Sequence, residues 1–126
     1  MIEVQHLCKK YGNFTAVDNI SFTVHDGEIV GFLGLNGAGK STTMNMLTGY
    51  LAMTSGEVSV NGIQMTQNPM ECRRQIGYLP EIPPLYPEMT VKDYLSFIYD
   101  LKHIHLKNKA EHLYTVMKES GIERVA

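Results

Sequence analysis

Residues 34–42 read GLNGAGKST, a glycine-rich segment that ends in Lys-Ser-Thr. It matches the pattern G-x-x-x-x-G-K-[ST] at Gly34, Gly39, Lys40 and Ser41. Glycines let the backbone approach an anion closely, successive N–H groups then surround a phosphate, and the lysine supplies a mobile positive charge. The pattern therefore predicts a loop that binds the phosphates of a nucleotide, with Ser41 offering its hydroxyl to Mg²⁺.

The sequence on either side of this loop supports the same interpretation. Residues 29–33, IVGFL, form a continuous apolar run with the length of a strand, and the lack of alternation predicts burial on both faces. From Lys40 the chain reads as a helix with Met44, Leu47 and Leu51 along one side. Its positive N-terminal end favours an anion.

A glycine-rich segment of this kind has two other interpretations. A dinucleotide-binding turn fails on spacing, because Thr42 stands where a third small residue is expected after Gly37 and Gly39. In the phosphate loop the Thr42 hydroxyl is instead placed to bond the α-phosphate. A glycine-rich turn with an incidental lysine is the remaining alternative.

The composition excludes several classes of protein. The chain has 126 residues and a formal net charge of −2, which gives no basic field for nucleic acid or an anionic membrane. With 44% hydrophobic and 19% charged residues, it has the composition of a globular protein of one domain. Its N-terminus lacks the layout of a signal peptide, and no apolar run is long enough to span a membrane. Cys8 and Cys72 form no CxxC pair, so we expect two reduced thiols.

Pattern and turn signals divide the chain into a strand-rich first part and a helical last part. Alternation over residues 2–24 predicts strands, and the turn residues Asn61-Gly62 follow another strand at 57–60. Asn68-Pro69 predicts the start of a short helix reaching about Arg74, and residues 76–79 a further short strand.

A proline-rich segment, PEIPPLYPEM at 80–89, then interrupts regular structure. Beyond it, apolar residues at helical spacing predict two amphipathic helices, the first capped by Thr90 and the second ended by Gly121. We therefore expect a nucleotide-binding core over residues 1–87 and a helical part over residues 88–126.

Tyr11 is an aromatic residue upstream of the loop, directly after Lys9-Lys10. An aromatic side chain beside the phosphate site can stack on a purine ring. The alternative from the residues alone is an ordinary half-buried tyrosine.

Several segments, in this order and spacing, resemble the nucleotide-binding subunit of ABC transporters, and in detail the bacterial exporters of the multidrug and gliding-motility type. The resemblance is close over residues 1–102 and looser beyond. It is carried by Tyr11, by residues 14–49 (FTAVDNISFTVHDGEIVGFLGLNGAGKSTTMNMLTG), by SGEVSVNG at 55–62, by IGYLPE at 76–81 and by LYPEMTVKDYL at 85–95.

The resemblance implies an α/β fold of the P-loop NTPase type, here its N-terminal half, with an antiparallel β subdomain and the start of a helical subdomain. It also implies roles by position. Tyr11 would stack on adenine, and Val17 would touch the ribose or base unless it is only a core valine. The Walker A loop would be formed by Gly34, Leu35, Asn36, Gly37, Ala38, Gly39, Lys40, Ser41 and Thr42.

Glu81 departs from the family pattern, which usually has glutamine at this position. A carboxylate here would attract Mg²⁺ and repel the γ-phosphate, and each interaction at about 4 Å is worth about 4 kcal/mol at an effective dielectric near 20. These opposed effects leave the net ATP affinity open but predict a stronger Mg²⁺ dependence than in a Glu81→Gln variant. The alternative is a solvated loop carboxylate.

Other parts that the family needs for hydrolysis are not in these 126 residues. No LSGGQ-like signature occurs, and no apolar strand ending in Asp-Glu follows the helical part. The resemblance thus implies the ATP-binding part of a subunit that couples ATP hydrolysis to export, with ATP and Mg²⁺ as ligands. The chain by itself is expected to bind nucleotide weakly and to hydrolyse it negligibly. One alternative is a truncated non-catalytic module that binds nucleotide or a partner. A second alternative is a small kinase, and the SGEVSVNG segment and the prolines after Leu79 disfavour this second one.

The expected partners follow from the same resemblance. They are transmembrane permease subunits, contacted through the helical part, and a second nucleotide-binding subunit, which would place the chain in the cytoplasm at the inner face of the plasma membrane. If residues 29–33 lack a neighbouring strand, they leave an exposed apolar edge through which the chain can self-associate.

Overall fold

The alternating segments of the first part form one antiparallel sheet of four strands. The strands are β1 (Ile2–Tyr11), β2 (Phe14–Val24), β3 (Ser55–Val60) and β4 (Ile63–Gln64), in the order β2-β1-β3-β4. The computed structural model describes residues 1–125, and this sheet belongs to the first of two units, residues 1–78. The predicted strands in these segments are confirmed.

Tight turns set the register of the sheet. A two-residue turn after β1 makes Tyr11 and Phe14 direct partners, and the Asn61-Gly62 turn, with φ of 51° and 79°, makes Val60 and Ile63 partners. Both central residues of the second turn have positive φ, which is the geometry that Asn-Gly favours in hairpins.

The core of the first unit lies between the sheet and two helices, α1 (Lys40–Leu47) and α2 (Pro69–Arg74). Apolar side chains from all of these elements and from the segment after β4 meet there. The buried members are Val4, Leu7, Val17, Met46, Val58, Val60, Met65 and Cys72. Burial raises the pKa of the Cys72 thiol, whose Sγ donates to the Ile63 carbonyl at 3.1 Å.

The helices begin where the sequence predicts and one ends earlier. α2 starts at Pro69, as expected. α1 stops at Leu47 instead of continuing to Leu51, because Gly49 takes a φ of 80° and the Tyr50 and Leu51 amides both turn back to the Asn45 carbonyl.

The second unit begins at Leu79 and holds the two predicted amphipathic helices, α3 (Val91–Leu101) and α4 (Lys109–Glu119). The Thr90 hydroxyl accepts from the Asp93 amide at 3.1 Å, which confirms the predicted cap. Within residues 1–125, no helix is long and apolar enough to cross a membrane. The units divide between Tyr78 and Leu79, and the domain boundary at residue 87 stays a prediction.

Two predicted strands are wrong. Residues 29–33 and residues 76–79 have irregular backbone, and the expected burial of residues 29–33 on both faces is wrong as well. Ile29 is fully exposed, and the Leu33 side chain is 94% exposed. The physical reason is the lack of a neighbour, since no strand among residues 1–125 lies beside either segment to complete a ladder.

Candidate functional site

The loop before α1 has the backbone that its glycines permit. Gly37 and Gly39 have φ of 83° and 97°, in the left-handed region that favours glycine. The Ala38 amide donates to the Leu35 carbonyl at 3.0 Å, which closes the turn. Gly39 is also the N-cap of α1, and no side chain caps this helix.

The open cap leaves a series of amides without acceptors. From the cap residue Gly39 onward, the first amide with an acceptor is that of Thr43, which donates to the Gly39 carbonyl at 2.9 Å. Among residues 1–125, no acceptor is bonded to the N–H groups of Gly37, Gly39, Lys40, Ser41 and Thr42. Uncommitted amides at the positive end of a helix are what an anion binds.

Lys40 closes over this loop from the helix side. Its ammonium donates to the carbonyl of Gly34, so the charge lies across the loop. A Cβ at Gly34 would lie 3.3 Å from Ala38 Cβ, so a glycine fits the tight curl of the loop. A phosphate oxygen is a stronger acceptor for an ammonium than a neutral carbonyl. Lys40 can therefore exchange the Gly34 carbonyl for a phosphate without leaving the loop.

A cavity of about 520 Å³ lies beside the loop, with strand β2 as its opposite wall. The loop and the strand are in direct contact, because a Cβ on Gly39 would stand 2.4 Å from the Ala16 carbonyl oxygen. Only glycine permits this approach. The cavity is lined by Phe14, Thr15, Ala16, Val17, Asp18, Ile20, Phe32, Leu33, Gly37, Ala38, Gly39, Lys40 and Thr43.

The other predicted site residues lie in different surroundings. Val17 is only 5% exposed, belongs to the core and also lines the cavity. Tyr11 is 50% exposed, with the Lys9 ammonium 5.0 Å from its ring centroid, and it is not among the cavity-lining residues. Asn36 lies exposed in the turn of the loop. Glu81 is exposed and belongs to the second unit.

A magnesium ion fits the donor set of this loop. Ser41 is exposed on the first turn of α1, and its hydroxyl has no hydrogen-bond partner within residues 1–125. No three His, Cys, Asp or Glu side chains in that part of the chain converge into a metal site. Mg²⁺ does not need such a cluster, since it is commonly held by one or two protein oxygens together with phosphate oxygens and water.

Sequence reasoning missed the aromatic residues of the cavity wall, Phe14 and Phe32. A signal for Phe14 was present, because the two-residue turn after Tyr11 makes the two aromatic residues direct partners at the end of the hairpin. Phe32 belongs to the residues that the sequence predicts as a buried strand, so its exposure at the cavity was not expected.

The chain is similar in sequence to known proteins. A protein-family profile described as ABC transporter matches residues 17–126. The ABC transporter ATP-binding protein YxlF of Bacillus subtilis, itself uncharacterised, is 37% identical over all 126 residues, which make up 41% of its length. The bacitracin transport ATP-binding protein BcrA of Bacillus licheniformis is 36% identical over 117 residues, covering 93% of this chain and 38% of BcrA.

A solved structure of the ATP-binding subunit of an ABC transporter has the same fold. It superposes with a TM-score of 0.86 and 33% identity, over 99% of this chain and 52% of that one. The α/β P-loop architecture predicted from the sequence is thereby confirmed. The chain spans about half of that structure and about two-fifths of the two bacterial relatives.

Proposed function

Because the chain belongs to the ABC transporter family, we propose that it is the nucleotide-binding part of an ATP-binding subunit that powers export across a membrane. The observation that carries this proposal is the open N-terminus of α1, where amides without acceptors lie in the loop whose Gly34 carbonyl accepts from the Lys40 ammonium. An uncapped helix start of this kind suits the β- and γ-phosphates of ATP.

The residues of the loop divide the work of holding the triphosphate. The amides of Gly37 and of residues 39–42 donate to phosphate oxygens, and Lys40 neutralises the charge between the β- and γ-phosphates. Ser41 is the ligand of Mg²⁺, an ion that supplies charge neutralisation at the phosphates. Gly34, Asn36 and Ala38 shape the loop, while Val17 and Tyr11 contact the ribose and the base.

Binding is tested with Lys40→Ala. We expect MgATP affinity to fall about tenfold or more, because a hydrogen bond between charged groups is lost. A ligand-observed NMR titration measures it, with Tyr50→Ala as an exposed control outside the cavity. Equal affinity in the wild type and in Lys40→Ala would reject the phosphate site.

We propose a role in hydrolysis for Glu81, as a second ligand of Mg²⁺ near the γ-phosphate. A carboxylate attracts the metal and repels the phosphate, so ATP binding is expected to depend more steeply on Mg²⁺ than in Glu81→Gln. Titrations at several Mg²⁺ concentrations measure the two slopes. Equal slopes reject the assignment.

The 126-residue chain is proposed to hydrolyse ATP negligibly. The support is that its sequence holds neither an LSGGQ-like signature nor an apolar strand ending in Asp-Glu. Phosphoryl transfer depends on a group that orients the attacking water, and that group is not supplied by the loop. Phosphate release is the measurement, and turnover that disappears in Lys40→Ala would refute the proposal.

The proposed partners are transmembrane permease subunits, through the helical unit, and a second nucleotide-binding subunit. These partners would hold the protein at the cytoplasmic face of the membrane. Relatives with transport in their names support this assignment. It is tested by co-purification with a permease subunit encoded nearby, and a protein that fractionates without membrane in the presence of that subunit would contradict it.

Self-association of the chain is also proposed, through the exposed residues 29–33. Edge strands and unpaired apolar backbone pair readily with another chain. Leu33→Lys places a charge on this surface and is expected to reduce association. Light scattering at high concentration measures the mass, and a monodisperse wild-type monomer argues against the proposal.

A further inference from the structure

Three hydroxyl side chains follow one another at the start of α1, and they differ in what they bond. Within residues 1–125, the hydroxyls of Ser41 and Thr42 have no hydrogen-bond partner. The Thr43 hydroxyl donates to the Gly39 carbonyl at 2.8 Å, and Thr43 is only 1% exposed. The first two hydroxyls are therefore available to a ligand, whereas the third is bonded to the backbone of the loop.

The Gly39 carbonyl accepts two hydrogen bonds from the same residue. The Thr43 amide donates to it at 2.9 Å, in addition to the Thr43 hydroxyl. A carbonyl oxygen has two lone pairs and can accept both donors. Gly39 is the N-cap of α1, with a φ of 97° and no side-chain cap. The hydroxyl therefore restrains a peptide unit at the point where the loop becomes a helix.

The Gly39 carbonyl and the Lys40 amide belong to the same peptide unit. In a planar trans peptide the C=O and N–H bonds point in opposite directions, so a bond that fixes the carbonyl also fixes the N–H. A hydrogen bond to the carbonyl also polarises this unit, which makes its N–H a stronger donor. The Lys40 amide has no acceptor within residues 1–125. Its orientation and donor strength therefore depend on what holds the Gly39 carbonyl.

We propose that Thr43 is a positioning residue of the phosphate loop, whose hydroxyl orients and polarises the Lys40 amide toward a phosphate oxygen. The inference rests on the proposed function, because it concerns the same phosphate site. Thr43 acts through the peptide unit and not by contact with the ligand, since its hydroxyl is bonded to a protein carbonyl. The group that it serves is the phosphate chain, so the effect does not require a base.

Thr48 is a matched control on the same helix. Its hydroxyl donates to the Met44 carbonyl at 2.9 Å, four residues earlier, and its amide donates to the same carbonyl at 3.1 Å. Thr48 is also buried, with 7% exposure. The same pair of bonds thus occurs near both ends of α1, and the pair at Thr43 lies at the end where amides have no acceptor.

Valine at either position removes the hydroxyl and leaves the carbonyl its amide donor, so no buried acceptor loses all of its partners. Ligand-observed NMR titrations with inorganic tripolyphosphate and with ATP are run on the full chain and its variants. Thr43→Val is expected to weaken both ligands about 2- to 10-fold, the size of one hydrogen bond. Thr43→Ser keeps a hydroxyl and should restore most of the affinity. Thr48→Val should bind both ligands like the wild type.

A spectroscopic measurement separates positioning from a general loss of stability. At saturating tripolyphosphate, the affinity no longer matters, and the amide proton shift of Lys40 reports its own hydrogen bond. We expect this proton to lie further downfield in the wild type than in Thr43→Val, because the polarised amide makes the stronger bond. Thr48→Val should give the wild-type shift.

Each other outcome overturns the inference. If Thr43→Val binds both ligands like the wild type, the phosphate site stands and the hydroxyl does not position it. If Thr48→Val loses as much affinity, the loss comes from the stability of the helix. If Thr43→Ser loses as much as Thr43→Val, the hydroxyl is not the group responsible. An unchanged Lys40 shift in Thr43→Val would also reject the role. If the wild type binds neither ligand, the proposed function fails together with the inference.

Discussion

Strand β3 and residues 29–33 are two segments of the same unit that differ in pairing and in burial. β3 pairs with β1 on one side and with β4 on the other, and its Val58 is only 1% exposed. Residues 29–33 have more consecutive apolar side chains but no backbone hydrogen bond within residues 1–125. An apolar run therefore favours burial, while a strand also requires a neighbour for its N–H and C=O groups.

Hydrogen exchange is expected to show the largest difference between the two stretches. Amides of β3 open only with the sheet, so they exchange on the order of a thousandfold or more slower than the amides of residues 29–33, which have no acceptor. Mass spectrometry of peptides from each stretch measures this ratio. Protection of residues 29–33 that appears only at high protein concentration would mean that a second copy pairs with them, and protection at every concentration would contradict the difference itself.

Gly56→Ala tests strand β3 at its close contact with β1. Gly56 has a φ of 103°, and a Cβ there would lie 2.5 Å from the His6 carbonyl oxygen and 2.7 Å from Leu7 Cα. The strained backbone and the collision with β1 together are expected to lower the free energy of unfolding by about 3 kcal/mol. Urea denaturation followed by circular dichroism measures the change.

Gly62→Ala is the matched control for that substitution. Gly62 also has a positive φ, 79°, but open space where its Cβ would be. It should therefore show the backbone cost alone, about 1 kcal/mol. Equal losses of unfolding free energy in the two variants would show that Gly56 does not contact β1 closely in solution.

Val58→Ala and Leu33→Ala compare one side chain from each stretch. Val58 is part of the core, so its truncation is expected to lower the free energy of unfolding by about 2 kcal/mol. The Leu33 side chain is exposed, so its truncation should change that free energy by less than about 0.5 kcal/mol. A loss at Leu33 as large as that at Val58 would show that another molecule buries the run under the conditions of the measurement.

The elements that the sequence predicts correctly are those with local signals. The Asn61-Gly62 turn, the Pro69 start of α2 and the Thr90 cap depend on residues close together in the chain, and each is present. The prediction of a strand at residues 29–33 was wrong, because strand pairing depends on a neighbouring strand, which no local sequence pattern reveals. The apolar run alone cannot distinguish a paired strand from an unpaired one.

The candidate site shows the same difference between local signals and contacts distant in sequence. The glycines and Lys40 were predictable, since a short motif specifies the loop and the helix start together. The turn after Tyr11 indicates that Phe14 lies opposite it, but the place of Phe14 in the cavity depends on the contact between β2 and Gly39, which joins residues distant in sequence. Lys9 over Tyr11 is likewise a contact between side chains that spacing alone does not identify.

Phe32 is a member of residues 29–33 whose ring contacts the folded unit, and its truncation gives the most discriminating effect. Its ring centroid lies 5.7 Å from that of Phe22, and the side chain is 41% exposed. Phe32→Ala should lower the free energy of unfolding by about 1 kcal/mol, the size of an aromatic pair, between the values for Leu33 and Val58. Hydrogen exchange of residues 29–33 should not change, since the ring contact bonds no amide. A loss equal to that of Val58→Ala would make the run part of the core, whereas no loss would leave it without any anchor. An effect between these two limits would mean that the Phe32 side chain helps to hold an otherwise unpaired segment beside the cavity.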